Sequence, residues 1–474
     1  MLHYLLLSLY TLIIAYLAWR TWKKTREIAF LIGVALIYYW SLLGAWFIVY
    51  DELSGGKGAD FGLHYYYLLE LLFPVRADNT YLYACALYAV FIIGLQLTIL
   101  YFAKPYEKNS APETKPVHIN HLLLIGICVG AALLSFALVW KEILTAAKFS
   151  ESIYIVTRMQ PGRFFTLHQL LNQAAVVSLY IGLIAYISGE RSRFISGSRA
   201  KWQLAAYALA VILVEGYLLL LGNKREILFG GILGAIFYLN NVRYRINVKA
   251  LALFFVIVLI PLLFNDGLRS YSPKFLTNYF DTSGLEFQRK KEFTYTGFSM
   301  KNTTTSFLFS NEMFSGHFAM YGIISKDVPL TWGRSLLSLG ASIVPRFIWK
   351  DRPEQAYDYY VRAVGAKEGQ GYTIHHAAGW YLNFGAAGVL LGAFALGGLW
   401  VYLYNRHRRF WESRFLFLRV LFIIGVAAVA AAMPTVMRSG PEVYKVLFFE
   451  ALLLPAGVLF LAAYFGKRSS AKNS

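Results

Sequence analysis

Charge is scarce in this sequence. Only 15% of its 474 residues are Asp, Glu, Lys or Arg, and 58% are hydrophobic, whereas soluble globular chains hold about 25% charged residues. No water-soluble fold hides that much apolar surface. Acidic residues are the scarcer sign, 26 against 45 basic. In a soluble protein this imbalance would suggest nucleic acid; here basic loops beside membrane spans account for it, and no nucleic-acid partner is expected. Cysteine is nearly absent. Cys85 and Cys128 both sit inside apolar runs, which excludes a disulfide framework and makes them packing residues. The sequence has no GxxxxGK[ST] phosphate loop, which argues against a nucleotide-dependent reaction. No internal repeat, low-complexity tract or terminal soluble domain is visible.

What is present is a succession of long apolar runs. Hydrocarbon about 30 Å thick needs about 20 apolar residues as helix, because lipid offers the backbone no hydrogen-bond partners. The runs predict eleven spans, at 2–19, 28–50, 81–103, 121–140, 166–187, 202–221, 226–240, 249–264, 377–404, 415–433 and 443–465. The Gly-rich 226–240 run is short enough to be broken or tilted. The first run lacks a basic leader and a cleavage site, so it reads as a retained helix rather than a signal peptide. The expected fold is an all-α polytopic integral membrane protein. It divides into 1–264 (helices 1–8), 265–376 (a long loop or cap pressed on the membrane) and 377–474 (helices 9–11 and a tail).

Lys and Arg alternate between successive loops. One set carries Arg20, Lys23, Lys24 and Arg26; Lys104, Lys108 and Lys115; Arg191, Arg193, Arg199 and Lys201; Arg243, Arg245 and Lys249; Arg406, Arg408, Arg409 and Arg414; and Lys467, Arg468 and Lys472. The positive-inside rule puts this set in the cytoplasm. The N-terminus is then expected outside, the C-terminus inside, and the 265–376 loop outside.

Three charged clusters fall at external helix ends. Lys224 and Arg225, in Gly222-Asn223-Lys224-Arg225-Glu226, either snorkel and pair with glutamate or hold an anionic headgroup. Arg438, in the Pro/Gly-bent turn from Met433 to Glu442, either pairs with Glu442 or presents its planar fork to phosphate oxygens. Arg346, Lys350 and Arg352 lie in Val344–Glu354, followed by His375 and His376 at the start of a span. Imidazole suits proton removal from a hydroxyl near neutral pH. A metal pair is a poor reading of two adjacent histidines with no further ligand cluster, and no cofactor is expected. External tyrosines such as Tyr65–Tyr67, Tyr357, Tyr359 and Tyr360 suit sugars and membrane interfaces alike.

At these same residues the sequence resembles the O-antigen polymerase (Wzy) family of oligosaccharide repeat-unit polymerases. GNKREILFGG (222–231) resembles its Gly-x-Arg turn, and SIVPRFIWKDRPE (342–354) its Pro-Arg-x-x-Trp signature. GWYLNFGAAGVLLG (379–392) resembles its Tyr-x-Asn-Phe-Gly-x-x-Gly span start, and MRSG (437–440) its late external arginine. Members often carry an acidic residue near the position of Gly379. The resemblance implies a metal-free, inverting glycosyl transfer at the periplasmic face of the bacterial inner membrane. The donor and acceptor would be undecaprenyl-pyrophosphate-linked repeat units, with Arg438, Arg225, Lys224, Arg346 and Arg352 holding pyrophosphate and His376, or else His375, as base. A flippase and a chain-length regulator are the implied partners.

Two other readings stay open. One is a metal-dependent polyprenyl-phosphate glycosyltransferase using Asp51 and Glu52. The other is a flippase or exporter for lipid-linked glycans, which should line its interior with mid-membrane charge; Glu215 and Glu450 are the clear mid-span acids.

Overall fold

The computed structural model describes residues 2–53, 78–106, 117–149, 153, 165–188, 194–195, 201–241, 311–341, 349, 351, 353–365, 373–409 and 415–472. Among these the only strands are two-residue segments, Val117–His118 (β1) and Phe194–Ile195 (β2), paired in parallel. Everything else regular is helix: α1 Leu2–Thr25, α2 Ile28–Tyr38, α3 Gly44–Leu53, α4 Asn79–Phe102, α5 His121–Leu138, α6 Trp140–Phe149, α7 Phe165–Ser188 and α8 Lys201–Leu220. These are followed by α9 Arg225–Asn241, α10 Asn311–Ser325, α11 Arg334–Ala341, α12 Ala356–Val364, α13 His376–Arg409, α14 Leu416–Met437, α15 Val443–Val446 and α16 Leu454–Lys472.

Nine helices among the described residues are long and apolar enough to cross a membrane, and they coincide with nine of the eleven predicted runs. The protein is an all-α polytopic membrane protein. The 226–240 run forms α9, whose 17 residues reach about 26 Å, short of a full crossing. The 249–264 run lies outside the described residues. Side-chain caps set several helix starts: Asp78 accepts from the Tyr81 amide at 2.9 Å and Asn120 from Leu123 at 3.1 Å. Two spans are interrupted by π segments, Tyr39–Leu43 between α2 and α3, and Leu447–Leu453 between α15 and α16. Each contains a polar residue, Ser41 or Glu450, used below.

The chain forms two compact units. The first comprises residues 1–111, 308–409 and 432–449, and so combines the first three spans with the loop helices α10–α12, with α13, and with the turn after α14. Small residues let its helices close up. A Cβ on Gly33 would stand 2.1 Å from the Trp400 ring, and one on Gly397 would meet the Leu95 carbonyl at 3.1 Å. One end is stitched by polar contacts: Lys24 Nζ donates to the Leu100 carbonyl at 2.6 Å, the Lys104 amide to Asn405 Oδ1 at 2.9 Å, and the Tyr106 amide to the Lys24 carbonyl at 2.8 Å. Three of the predicted basic loops therefore meet at one end. Helix α10, from the long loop, is packed inside this unit rather than laid on it; His317, Phe318, Ala319 and Met320 are fully buried.

The second unit comprises residues 112–307, 410–431 and 450–474. Helix α7 is its centre, and glycines again admit neighbours: Gly182 faces Leu124 and Tyr207, and Gly230 faces Val176 and Tyr180. The β1–β2 pair and the bond from the Asn120 amide to the Ala462 carbonyl (3.1 Å) tie the end of the Lys104–Lys115 connection to two more basic connections.

Candidate functional site

In the first unit, two segments far apart in sequence pack together: the start of α13 and the turn after α14. His376 opens α13, and its Nδ1 lies 3.2 Å from the Ser439 carbonyl. An indole N–H can only donate, so the bond from Trp380 Nε1 (3.1 Å) fixes His376 Nε2 as acceptor and Nδ1 as donor. The Tyr444 hydroxyl adds a contact to Nε2 at 3.3 Å. One turn on, Gly379 sits against the turn so closely that a Cβ would stand 2.9 Å from Gly440 Cα and 3.0 Å from Pro441 Cδ. Arg438, half-buried, is carried by this braced turn. An acidic side chain at position 379 has no room here.

His375 begins a second, deeper network. Its Nδ1 accepts the Ala377 amide at 3.1 Å, capping α13, and its Nε2 reaches Ser41 Oγ at 2.9 Å. The same serine donates to the Ile37 carbonyl at 2.7 Å. His317 of α10 lies 2.7 Å from the Ser41 carbonyl through Nδ1 and 2.6 Å from the Tyr81 hydroxyl through Nε2. Tyr88 donates to the His317 carbonyl at 2.8 Å, and its ring stands edge-on to His375 at 4.5 Å. Burial pushes the His317 pKa down to about 4. Burial, then the neighbouring His376 and His317, hold His375 well below the ordinary histidine range. Sequence reasoning missed His317, Ser41 and Tyr88. A serine within an apolar run and a histidine in a loop helix give no signal until the fold joins them.

The sequence-based expectation names His376, or else His375, as a base. In this structure both rings are fully buried, and both nitrogens of each are engaged, so that the two side chains brace the helix start and the turn.

Eight residues beyond His376, α13 breaks. Phe384 (φ −142°, ψ 22°) and Gly385 (φ 61°, ψ −147°) leave helical geometry, the second in a region that favours glycine. Polar groups from the segment leading into α11 cover the break. The Thr331 amide donates to the Leu382 carbonyl at 2.8 Å, and Thr331 Oγ1 to Asn383 Oδ1 at 2.9 Å. Asn383 Nδ2 donates in turn to Ser335 Oγ at 2.7 Å and to the Gly379 carbonyl at 2.8 Å. A Cβ on Gly388 would lie 2.1 Å from the Trp380 carbonyl. The Asn-Phe-Gly-x-x-Gly pattern is thus the chemistry of an interrupted membrane helix whose freed backbone groups are satisfied by protein.

The break also divides the helix by exposure. No residue from Thr373 to Gly385 is exposed, whereas exposed side chains recur along α13 from Ala386 to Tyr402, a stretch of about 24 Å.

Glu442 does not serve as the ion-pair partner considered for Arg438. Its buried carboxylate faces the first amides of α12, at Ala356 and Tyr357, and burial raises its pKa. It docks a loop helix onto the turn.

Lys224 and Arg225 belong to the second unit. Arg225 Nη2 lies 2.9 Å from Glu450 Oε2 and 3.5 Å from Glu226 Oε1. That is the local pairing considered as the alternative to headgroup binding, and two carboxylates oppose a further anion. Lys224 is half-buried in the preceding turn. The same unit holds polar groups that sequence reasoning passed over: His168 Nδ1 lies 2.7 Å from Ser135 Oγ, which is 3.1 Å from the Tyr217 hydroxyl. Tyr180 donates to Glu215. Arg346, Lys350 and Arg352 lie outside the described residues, as do the side chains of Asp51 and Glu52.

No family model, curated protein or solved structure matches this chain.

Proposed function

We propose that the protein polymerises lipid-linked oligosaccharide repeat units into a surface polysaccharide by inverting glycosyl transfer. On this reading the donor and acceptor are undecaprenyl-pyrophosphate-linked, and the reaction occurs at the periplasmic face of the bacterial inner membrane. The observation that carries the proposal is the packing of the His376 helix start against the Arg438 turn. Both segments were selected from sequence on separate grounds, and on this reading the membrane-bound pyrophosphate lies beside them.

The chemistry needs few groups. An acceptor hydroxyl attacks the anomeric carbon from the face opposite the pyrophosphate. The carbon–oxygen bond breaks, its electron pair stays on the phosphate oxygen, and the hydroxyl proton leaves to water. Negative charge builds on the leaving group, so cations fixed in advance lower the barrier. Arg438 takes that role, with Arg346 and Arg352 of the long loop as further cations. Lipid anchoring holds both substrates at one depth and removes part of the entropic cost of their meeting. His376 and His375 position the turn and the helix start.

The test is Arg438→Lys in a deletion strain, read as the polysaccharide ladder alongside membrane abundance. Lysine keeps the charge but loses the bidentate fork. Activity should fall at least tenfold at normal abundance, and further in Arg438→Ala. A normal ladder from Arg438→Ala would remove Arg438 from the site.

A further inference from the structure

Helix α11, Arg334–Ala341, is built inside out. Ser335, Ser338 and Ala341 are buried at 2%, 1% and 5% exposure, whereas Leu337 is 65% exposed and Trp332, just ahead of the helix, 74%. A helix of a water-soluble cap would show the reverse pattern. Trp332 is also held at φ 49°, an uncommon conformation for a bulky residue, followed by Gly333 at φ 85°. The tight turn sends the indole outward.

What faces this apolar side follows from its position along α13. Thr331 and Ser335 are bonded to Leu382 and Asn383, at the break of α13. The lipid-facing part of that helix begins directly below, at Ala386, and continues through Leu390, Leu391 and Phe394 at 40%, 50% and 51% exposure. Trp332 and Leu337 therefore stand at the end of α13 from which its exposed apolar side chains begin, and tryptophan is a residue enriched where hydrocarbon meets headgroups. Arg334 is exposed at the start of the helix.

We infer that α11 is an interfacial anchor: Trp332 and Leu337 insert into the outer boundary of the hydrocarbon among lipid acyl chains, and through Asn383 the helix sets the depth of the α13 break. This rests on the membrane fold and is independent of the reaction proposed above.

The test is site-directed spin labelling of the full-length protein in phosphatidylethanolamine/phosphatidylglycerol vesicles. Cys85 and Cys128 are buried and can stay in place. A label at Leu337→Cys should collide with oxygen several-fold more than with a water-soluble nickel chelate, as at the lipid-facing reference Leu391→Cys. A label at Arg362→Cys, on an exposed side chain of α12, should show the opposite ratio. Trp332→Cys provides a second reading if Leu337→Cys accumulates poorly. Preference for the nickel chelate at both positions would overturn the anchor in favour of a water-exposed face. Protection from both reagents would overturn it in favour of a face covered by protein, such as a second copy of the chain.

Discussion

The His376 imidazole makes three contacts with three different parts of the unit, and this decides what its replacement should do. If the ring is a brace, its essential feature is the Nδ1–H donated to Ser439. An asparagine amide can place an N–H close to that position, whereas neither asparagine nor alanine can act as a base near neutral pH. His376→Asn should therefore retain most polymer synthesis while His376→Ala loses most of it, at equal membrane abundance. Equal loss in both would return the histidine to the role of base. The neighbouring network makes a prediction about pH. His317 has a folded-state pKa depressed from 6.5 to about 4, so it stays neutral in the folded protein while the unfolded chain takes up a proton below about pH 6.5. Its contribution is complete above that pH and is lost as pH falls toward 4, amounting to about 2 kcal/mol by pH 5. Thermal inactivation should therefore shift to lower temperature between pH 7.5 and pH 5, by less in His317→Gln than in the parent. An equal shift in the two proteins would contradict the assignment. Glu442, raised by burial, acts with the opposite sign in both proteins and cancels in the comparison.

At the scale of elements, the spans were legible in sequence because hydrocarbon imposes a length and a composition that no other environment does. Nine of the eleven runs recur as helices within a few residues of their expected ends. The break in α13 was not legible as a break, although its residues had been noted. Gly385 and Asn383 look like ordinary span residues until Thr331 and Ser335 arrive from some fifty positions upstream to satisfy them. The π segments were equally hidden, since the apolar runs around Ser41 and Glu450 continue without interruption. Helix α10 falls in the 265–376 segment, which the alternation of basic loops puts outside and whose length suggests a cap; its burial depends on a tertiary partner, Tyr88, in the middle of an apolar span. The contact between α13 and the Arg438 turn yields its own prediction. Adding a methyl at Gly379 forces it to 2.9 Å from Gly440, a backbone atom that can yield only by moving the turn. Overpacking of this kind costs about 1–3 kcal/mol. Gly379→Ala should insert normally yet lose at least tenfold in polymer synthesis. A full ladder from this variant would show that the turn does not need its position.

For the whole molecule, the sequence separated a membrane protein from every soluble class through its lack of charge, and the alternation of basic loops anticipated which connections would gather at one end within each unit. The candidate site was legible in part. The His376 and Arg438 segments do meet, while Arg225 is neutralised by Glu450, a residue 225 positions later whose proximity no local pattern could reveal. On the proposed reading the site holds a charged leaving group, a task that a polymerase has and a transporter of the same lipid-linked glycans does not. The decisive measurement is reconstitution of the purified protein in vesicles containing a pyrophosphate-linked repeat unit, with glycan length and sidedness followed together. The account predicts lipid-linked glycans longer than one repeat unit, formed without passage of the repeat unit across the bilayer and lost in Arg438→Ala. Single repeat units moved from one leaflet to the other with no increase in length would contradict it.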